Sequence, residues 1–90
     1  MSISIQILSN NEYEVTVQSN TITTHLVTLS DEVHKNLTNE KVTKEELLDF
    51  SFKFLLDREP NTSILSSFEL TIISRYFSDY EKSVKKWCSS

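Results

Sequence analysis

The sequence predicts an α+β domain, in which a three-stranded antiparallel sheet (a β-meander) precedes three or four packed helices. Hydrophobic and polar residues alternate over residues 1–29, which is typical of strands with one buried face. From residue 30 onward, helix-capping residues recur, each followed by apolar residues at helical spacing. A chain of 90 residues suffices for one domain. We therefore expect a single domain, 1–90, with strands in 1–29 and helices in 30–90.

The strand region divides at two turn signals, Ser9–Asn11 and Ser19–Asn20. Period-two alternation assigns these side chains to one face of the first two strands: Ile3, Ile5, Ile7, Tyr13, Val15 and Val17. The third segment, Thr21 to Leu29, is rich in β-branched residues, but its apolar side chains occur at both parities. Either a β-bulge near His25–Leu26 or burial on both faces would explain this break.

Two capping signals begin the helical region. Ser30, followed by two acids, predicts a short helix from Asp31 to Leu37. Thr43 with Glu46 forms a capping box that opens a central helix, about Lys44 to Arg58, which the Glu59–Pro60 step ends.

The central helix is apolar over most of its circumference. Its large side chains are Leu47, Leu48, Phe50, Phe52, Phe54, Leu55 and Leu56. A helix of this kind must be covered on more than one side. Either the other helices of the chain or a second copy could cover it, so this face predicts a homodimer as one assembly.

Two further Ser-x-x-Glu patterns follow. Ser66 with Glu69 predicts a helix that carries Phe68, Ile72, Ile73, Tyr76 and Phe77. Ser78 with Glu81 predicts a last helix with Tyr80, Val84 and Trp87 on one face. We expect two separate helices rather than one kinked helix.

Composition excludes several classes of function. The chain has no Gly, which excludes the phosphate-binding loops that need Gly where the backbone approaches the ligand. One Cys excludes an internal disulfide framework. The two histidines, His25 and His34, lie in no metal-binding or triad pattern and are expected at the surface or rim. We therefore predict no enzymatic activity, no metal and no cofactor.

A DNA-binding role is the alternative reading. Residues 25–48 run strand, helix, helix, and so resemble a ribbon-helix-helix module of a regulator or antitoxin. The first 34 residues contain no Lys or Arg, however, and residues 1–60 carry 5 basic and 10 acidic side chains. With a net charge of -4, the chain is poorly suited to bind nucleic acid.

Two groups of residues are candidates for interaction or loop anchoring. Arg58, Glu59 and Asn61 form the corner after the central helix, where they could meet a partner or hold the loop in place. The second group consists of aromatic residues, which are enriched at protein interfaces: Phe52, Tyr76, Tyr80 and Trp87, with Tyr13 a further candidate.

One stretch of the second half has a distinctive pattern: EELLDFSFKFLLDREPNTSIL, residues 45–65, followed by Phe68, Leu70, Ile73, Tyr76–Phe77 and Tyr80–Glu81. These residues resemble a family of small bacterial proteins of unknown function, with a weaker similarity over residues 16–30. Members often have Pro where this chain has Ser78, which implies a break between the last two helices. The resemblance implies a fold and a bacterial origin but assigns no site.

The N-terminus has neither a basic segment nor an apolar core of the kind that signal peptides have, and no apolar run is long enough to cross a bilayer. We expect a cytoplasmic protein without a membrane partner, which acts through contacts with another protein.

Overall fold

The computed structural model describes residues 2–89 and confirms the α+β class. The sheet consists of β1 (Ser2–Ile7), β2 (Glu12–Gln18), β3 (Ile22–Thr28) and β4 (Ser67–Glu69). The helices are α1 (Asp31–Thr38), α2 (Lys44–Leu56), α3 (Ile72–Tyr76) and α4 (Tyr80–Ser89), with a 3-10 turn at Asn61–Ser63. No helix within residues 2–89 has the length and apolar character needed to span a membrane.

The sheet has four strands in the order β1-β2-β3-β4, not the predicted three. The first three are antiparallel, as expected for a meander, and β4 pairs with β3 in parallel. The Ser66–Glu69 capping box therefore does not form. Residues 66–70 instead extend along the open edge of β3, where Leu26 N–H donates to Ser66 O (2.8 Å) and Leu70 N–H to Thr28 O (3.0 Å). Tertiary pairing overrides the local helix signal here.

The predicted break in β3 is absent. The β2–β3 register runs without interruption from Gln18↔Ile22 to Glu12↔Thr28, so there is no bulge. The odd-numbered side chains face the core, and His25, which is 2% exposed, occupies one of these core positions. Ile22 and Leu26 lie on the opposite, solvent-facing side. Apolar residues thus occur at both even and odd positions of β3 because the even-numbered Ile22 and Leu26 are exposed to solvent.

The predicted caps of α1 and α2 form. Ser30 Oγ accepts from Val33 N–H (3.2 Å) at the start of α1. At α2, Glu46 N–H donates to Thr43 Oγ1 (3.0 Å) and Thr43 N–H to Glu46 Oε1 (2.8 Å), which completes the capping box. α1 ends one residue later than predicted, before Asn39 in the left-handed conformation (φ 52°), and α2 ends two residues earlier, at Leu56.

Lys44, the first residue of α2, joins three parts of the chain. Its Nζ donates to Asn10 O in the β1–β2 turn (3.0 Å) and pairs with the Asp31 carboxylate at the start of α1 (2.5 Å). This hydrogen bond and the positive charge of Lys44 lower the pKa of Asp31. Both helix starts are thereby tied to the same end of the sheet.

The wide apolar face of α2 is covered within the chain. α2 packs against β1 and α4, and Leu47, Leu48 and Phe52 are fully buried. Phe54 is 6% exposed, and Phe50 is half-buried beneath Trp87 of α4, with ring centroids 4.4 Å apart. The sequence predicts a homodimer through α2 because of this apolar face, but packing within the chain is enough to cover the face. α3 and α4 are separate helices, as predicted.

Candidate functional site

Arg58 anchors the corner after α2. Its guanidinium donates from Nη1 to Phe54 O (3.0 Å) and from Nη2 to Asp79 Oδ2 (3.0 Å). The same group stacks over the Phe54 ring at 3.5 Å from the centroid. Arg58 thus binds a carbonyl near the end of α2 and also joins α2 to the residue before α4.

Asn61 is buried and fixes the 3-10 turn to the sheet rather than capping that turn. Its side-chain amide donates to Thr21 O (3.1 Å) and to Thr23 Oγ1 (2.9 Å). Both partners lie 38 or more residues earlier in the chain. A sequence pattern marks Asn61 as a turn residue, but it gives no indication of this distant partner.

His25 completes the same polar network and is a buried residue, not the surface or rim histidine expected from the sequence. Its Nδ1 lies 2.8 Å from Leu65 O and its Nε2 lies 2.8 Å from Thr23 Oγ1. Because a carbonyl oxygen can only accept, Nδ1 carries the proton and Nε2 accepts from the Thr23 hydroxyl. Every polar atom of the ring is therefore satisfied by the fold, which leaves no position for a ligand.

The other candidates for chemistry also have structural partners. His34 Nε2 lies 2.6 Å from Val42 O, so this nitrogen donates to the backbone. Among residues 2–89, no three His, Cys, Asp or Glu side chains come together in a cluster that could hold a metal ion. Cys88 is half-buried in α4, and burial raises the pKa of its thiol.

Two of the four aromatic interaction candidates belong to the core. Phe52 and Tyr80 are fully buried, so neither is available to a partner. Tyr80 OH lies 2.5 Å from Ser51 Oγ, and burial raises the pKa of Tyr80 well above its ordinary value. Trp87 is half-buried against Phe50, whereas Tyr76 is 69% exposed. Tyr13 is also a core residue, at 4% exposed.

Tyr76 lies at a concave apolar surface, which we call the α3 groove. The groove has a volume of about 410 Å³. Its lining residues are Leu55, Glu59, Ser63, Ile64, Leu65, Phe68, Ile72, Ile73, Tyr76 and Phe77. They come from the end of α2, the corner after it, the 3-10 turn and the segment that follows, β4, α3 and the residue after α3. The unpredicted strand is therefore part of what forms the groove.

The α3 groove has a firm base and exposed apolar edges. Leu55, Ile64, Phe68 and Ile73 are each at most 9% exposed and belong to the core. Leu65 is 48% exposed and Tyr76 69% exposed. A partner could therefore contact these two side chains without displacing the core. The sequence identifies Tyr76 as a candidate for interaction, but no sequence pattern indicates Leu65.

Glu59 supplies the one charged side chain among the residues that line the groove. It is half-buried, and within residues 2–89 its carboxylate has neither an ion-pair partner nor a hydrogen-bond donor. Of the three residues predicted at the corner, Arg58 and Asn61 thus anchor the loop and Glu59 faces the groove. Such a surface can bind apolar groups and attract one positive charge.

The strand that precedes α1 lies inside the sheet, and its Leu26–Thr28 segment has a partner strand on both sides. β3 pairs with β2 on one side and β4 on the other. In a ribbon-helix-helix module this strand must instead pair across a dimer.

Comparison of the chain with protein-family models, with curated proteins and with solved structures finds no match.

Proposed function

We propose that this chain is a non-enzymatic protein-binding domain and that the α3 groove is its recognition surface. The occupant is a segment of another protein that carries apolar side chains next to a Lys or Arg. The observation that carries the proposal is the combination of exposed Leu65 and Tyr76 with the unpaired Glu59 carboxylate in one groove.

The apolar lining of the α3 groove offers contact area on a rigid base. A volume of about 410 Å³ is within the usual range of binding clefts, and most lining side chains are apolar. Tyrosine is favoured at interfaces because it gives a large contact area at little cost in conformational entropy. Since the base of the groove is part of the core, binding requires little rearrangement.

The charge of the groove determines the second chemical feature expected of the occupant, a basic side chain. The chain has a net charge of -4, and Glu59 lies among apolar groups without a cation. A basic side chain beside apolar residues would pair with this carboxylate as the groove closes over both. An acidic partner segment would instead leave two like charges in contact, so the same residue gives specificity.

The proposal places this activity in the cytoplasm of a bacterium. The lone thiol of Cys88 is consistent with a reducing compartment, and the bacterial origin follows from the resemblance noted above.

Selection from a random peptide library displayed on phage, with the folded chain as bait, tests the proposal. We expect enriched peptides with apolar residues and a Lys or Arg. Their affinity should fall about three- to tenfold on Leu65→Ser, because complete burial of a Leu side chain contributes about 1.5–3 kcal/mol and Leu65 is 48% exposed before binding. Glu59→Gln should weaken only the peptides that carry a basic residue.

The matched controls lie on the other side of the sheet. Leu26 is 44% exposed, close to the 48% of Leu65, so Leu26→Ser removes a similar side chain from a different surface. Glu69→Gln is the control for charge. Peptides that lose affinity equally on Leu26→Ser and Leu65→Ser would overturn the proposal. So would a groove that binds short fatty acids but no peptide, since it would then be a small-molecule site.

A further inference from the structure

β1 presents an open row of backbone groups at the edge of the sheet. Leu8 N–H donates to Glu12 O (2.9 Å), and the register pairs Ile7 with Tyr13. In an antiparallel pair, hydrogen-bonded positions alternate, so the even-numbered residues of β1 bond to β2. The N–H and C=O groups of Ile3, Ile5 and Ile7 therefore point outward, where no strand within residues 2–89 lies.

This edge lacks the features that normally prevent strand addition. Natural edge strands are protected by charges, proline, a bulge or very short length. β1 pairs over six residues without a bulge, and the first charged side chain of the sequence is Glu12. The other edge, β4, has three residues and carries Glu69. Of the two edges, β1 is thus the one suited to pairing.

We infer that two copies of the chain pair through β1 in an antiparallel, two-fold symmetric manner centred on Ile5. Ile5 then lies opposite Ile5 of the second copy, and Ile3 lies opposite Ile7. All of these positions have outward backbone groups, so each can form a hydrogen-bonded pair. The result is a continuous eight-stranded sheet.

The side chains match as well as the backbone. Ile3, Ile5 and Ile7 lie on the same face as the buried Tyr13, Val15 and Val17, which are their partners on β2. Ile3 and Ile5 are half-buried and Ile7 is 57% exposed, so pairing extends the core across the two-fold axis. On the opposite face, Ser4 meets Gln6.

The charge distribution selects this edge for self-association. Each copy carries a net charge of -4, so the overall repulsion between two copies opposes their contact. Residues 1–11 contain no charged side chain. The inference does not depend on the α3 groove: β1 and β4 are opposite edges of the sheet, so the dimer leaves both grooves accessible.

Two variants that differ at one residue test the pairing. Ser4 and Gln6 are exposed, so charges there are compatible with folding. In Ser4→Lys/Gln6→Lys, each Lys at position 4 lies opposite a Lys at position 6 of the other copy. In Ser4→Glu/Gln6→Lys, opposite charges meet at the same two places. Within one copy, both variants place Lys at position 6 opposite Glu14 and keep position 4 opposite the neutral Thr16.

Light scattering on a sizing column, from about 1 to 500 µM, measures the outcome. We expect a concentration-dependent mass that approaches twice 10.5 kDa for the natural chain. The dissociation constant of the Lys/Lys variant should exceed that of the Glu/Lys variant by roughly tenfold, because like charges directly opposite destabilise strand pairs. Circular dichroism verifies that both variants fold.

Hydrogen exchange supplies a second readout that is specific for the register. The amides of Ile3, Ile5 and Ile7 should become protected as the concentration of the natural chain rises. A mass of 10.5 kDa at all concentrations would overturn the inference. A dimer that is equally stable in both variants, without new protection at these amides, would also overturn it, because the dimer would then use another surface.

Discussion

Tyr80 donates its phenolic hydrogen to Ser51 Oγ in the buried contact between α4 and α2. Ser51 cannot be the donor, because its own hydrogen goes to Leu47 O (2.7 Å). The two hydroxyls are 2.5 Å apart, and both residues are fully buried. This order of donors makes the two residues unequal. Removal of the Ser51 hydroxyl leaves the buried Tyr80 hydroxyl without a partner, whereas removal of the Tyr80 hydroxyl leaves Ser51 bonded to Leu47 O.

We therefore expect Ser51→Ala to destabilise the protein more than Tyr80→Phe. Tyr80→Phe leaves Ser51 bonded to Leu47 O and should lower the free energy of unfolding by about 0.5–1.5 kcal/mol. Ser51→Ala leaves the Tyr80 hydroxyl buried and unbonded, which costs about 1–3 kcal/mol, less about 0.5 for the better helix propensity of Ala. Urea titrations followed by Trp87 fluorescence measure both, with the exposed Tyr76→Phe as control. Equal losses would contradict this order of donors.

Tyr80 also predicts a loss of stability at alkaline pH. Burial raises the pKa of Tyr80 above its ordinary value of 10.0, so the folded state retains the phenolic proton where the unfolded state releases it. The contribution is complete below pH 10 and falls as the pH rises above it, by up to about 1.4 kcal/mol per pH unit. Tyr80→Phe should make the decline in the free energy of unfolding shallower between pH 10 and 11.5. Parallel slopes in urea titrations of the two proteins would refute this assignment.

Arg58 should stabilise the corner through stacking and its carbonyl bond more than through its ion pair. The Arg58 side chain is 33% exposed and that of Asp79 56% exposed, so solvent screens their attraction. Arg58→Met should cost about 1–2 kcal/mol from the loss of the bond to Phe54 O and the stacking on its ring. Arg58→Lys should cost nearly as much, although it keeps the charge. Full rescue by Lys in urea titrations would show that the ion pair dominates; Arg75→Met is the exposed control.

Asn61→Ala should be among the more damaging substitutions outside the apolar core. It removes two hydrogen bonds, to the Thr21 carbonyl and the Thr23 hydroxyl, at an expected total cost of about 1–3 kcal/mol. Asn36→Ala, at an exposed position in α1, should change the free energy of unfolding by no more than about 0.5 kcal/mol. Thermal unfolding by circular dichroism compares the two. Similar midpoints would mean that water replaces the amide at Thr21 and Thr23.

The features that could be predicted from the sequence are those whose partners lie close in the chain. The Thr43–Glu46 box spans three residues and Arg58 binds a carbonyl four residues away, so local spacing is enough to identify both. β4 and Asn61 depend on β3, some 40 residues earlier, and their sequence signals point instead to a helix and a turn. The segment Ser66–Glu69 shows the difference directly. It has a valid capping pattern, but it pairs with the edge of β3 as a strand instead of starting a helix.

The α3 groove could not be predicted for the same reason. Its lining residues come from several elements, and their arrangement depends on β4 returning to the sheet. Residue type makes Tyr76 a candidate, and Glu59 is one because it lies in the corner after the central helix, but neither observation brings the two together. The surface or rim position predicted for His25 is wrong because the fold satisfies its ring nitrogens with Leu65 O and Thr23 Oγ1, and Leu65 is 40 residues away in the chain.

The parallel pairing of β4 with β3 has a consequence for the order of folding. The β3–β4 contacts, the Asn61 bonds and the His25–Leu65 bond all close the same long stretch of chain, which contains α1 and α2. Such long-range closure is slow relative to hairpin formation. During synthesis, the meander leaves the ribosome with the Leu26–Thr28 edge of β3 unpaired, and this edge stays open until the segment beyond residue 66 follows. We expect chaperone dependence to be greatest in this interval, and a nascent chain arrested before β4 to be the species most prone to aggregate.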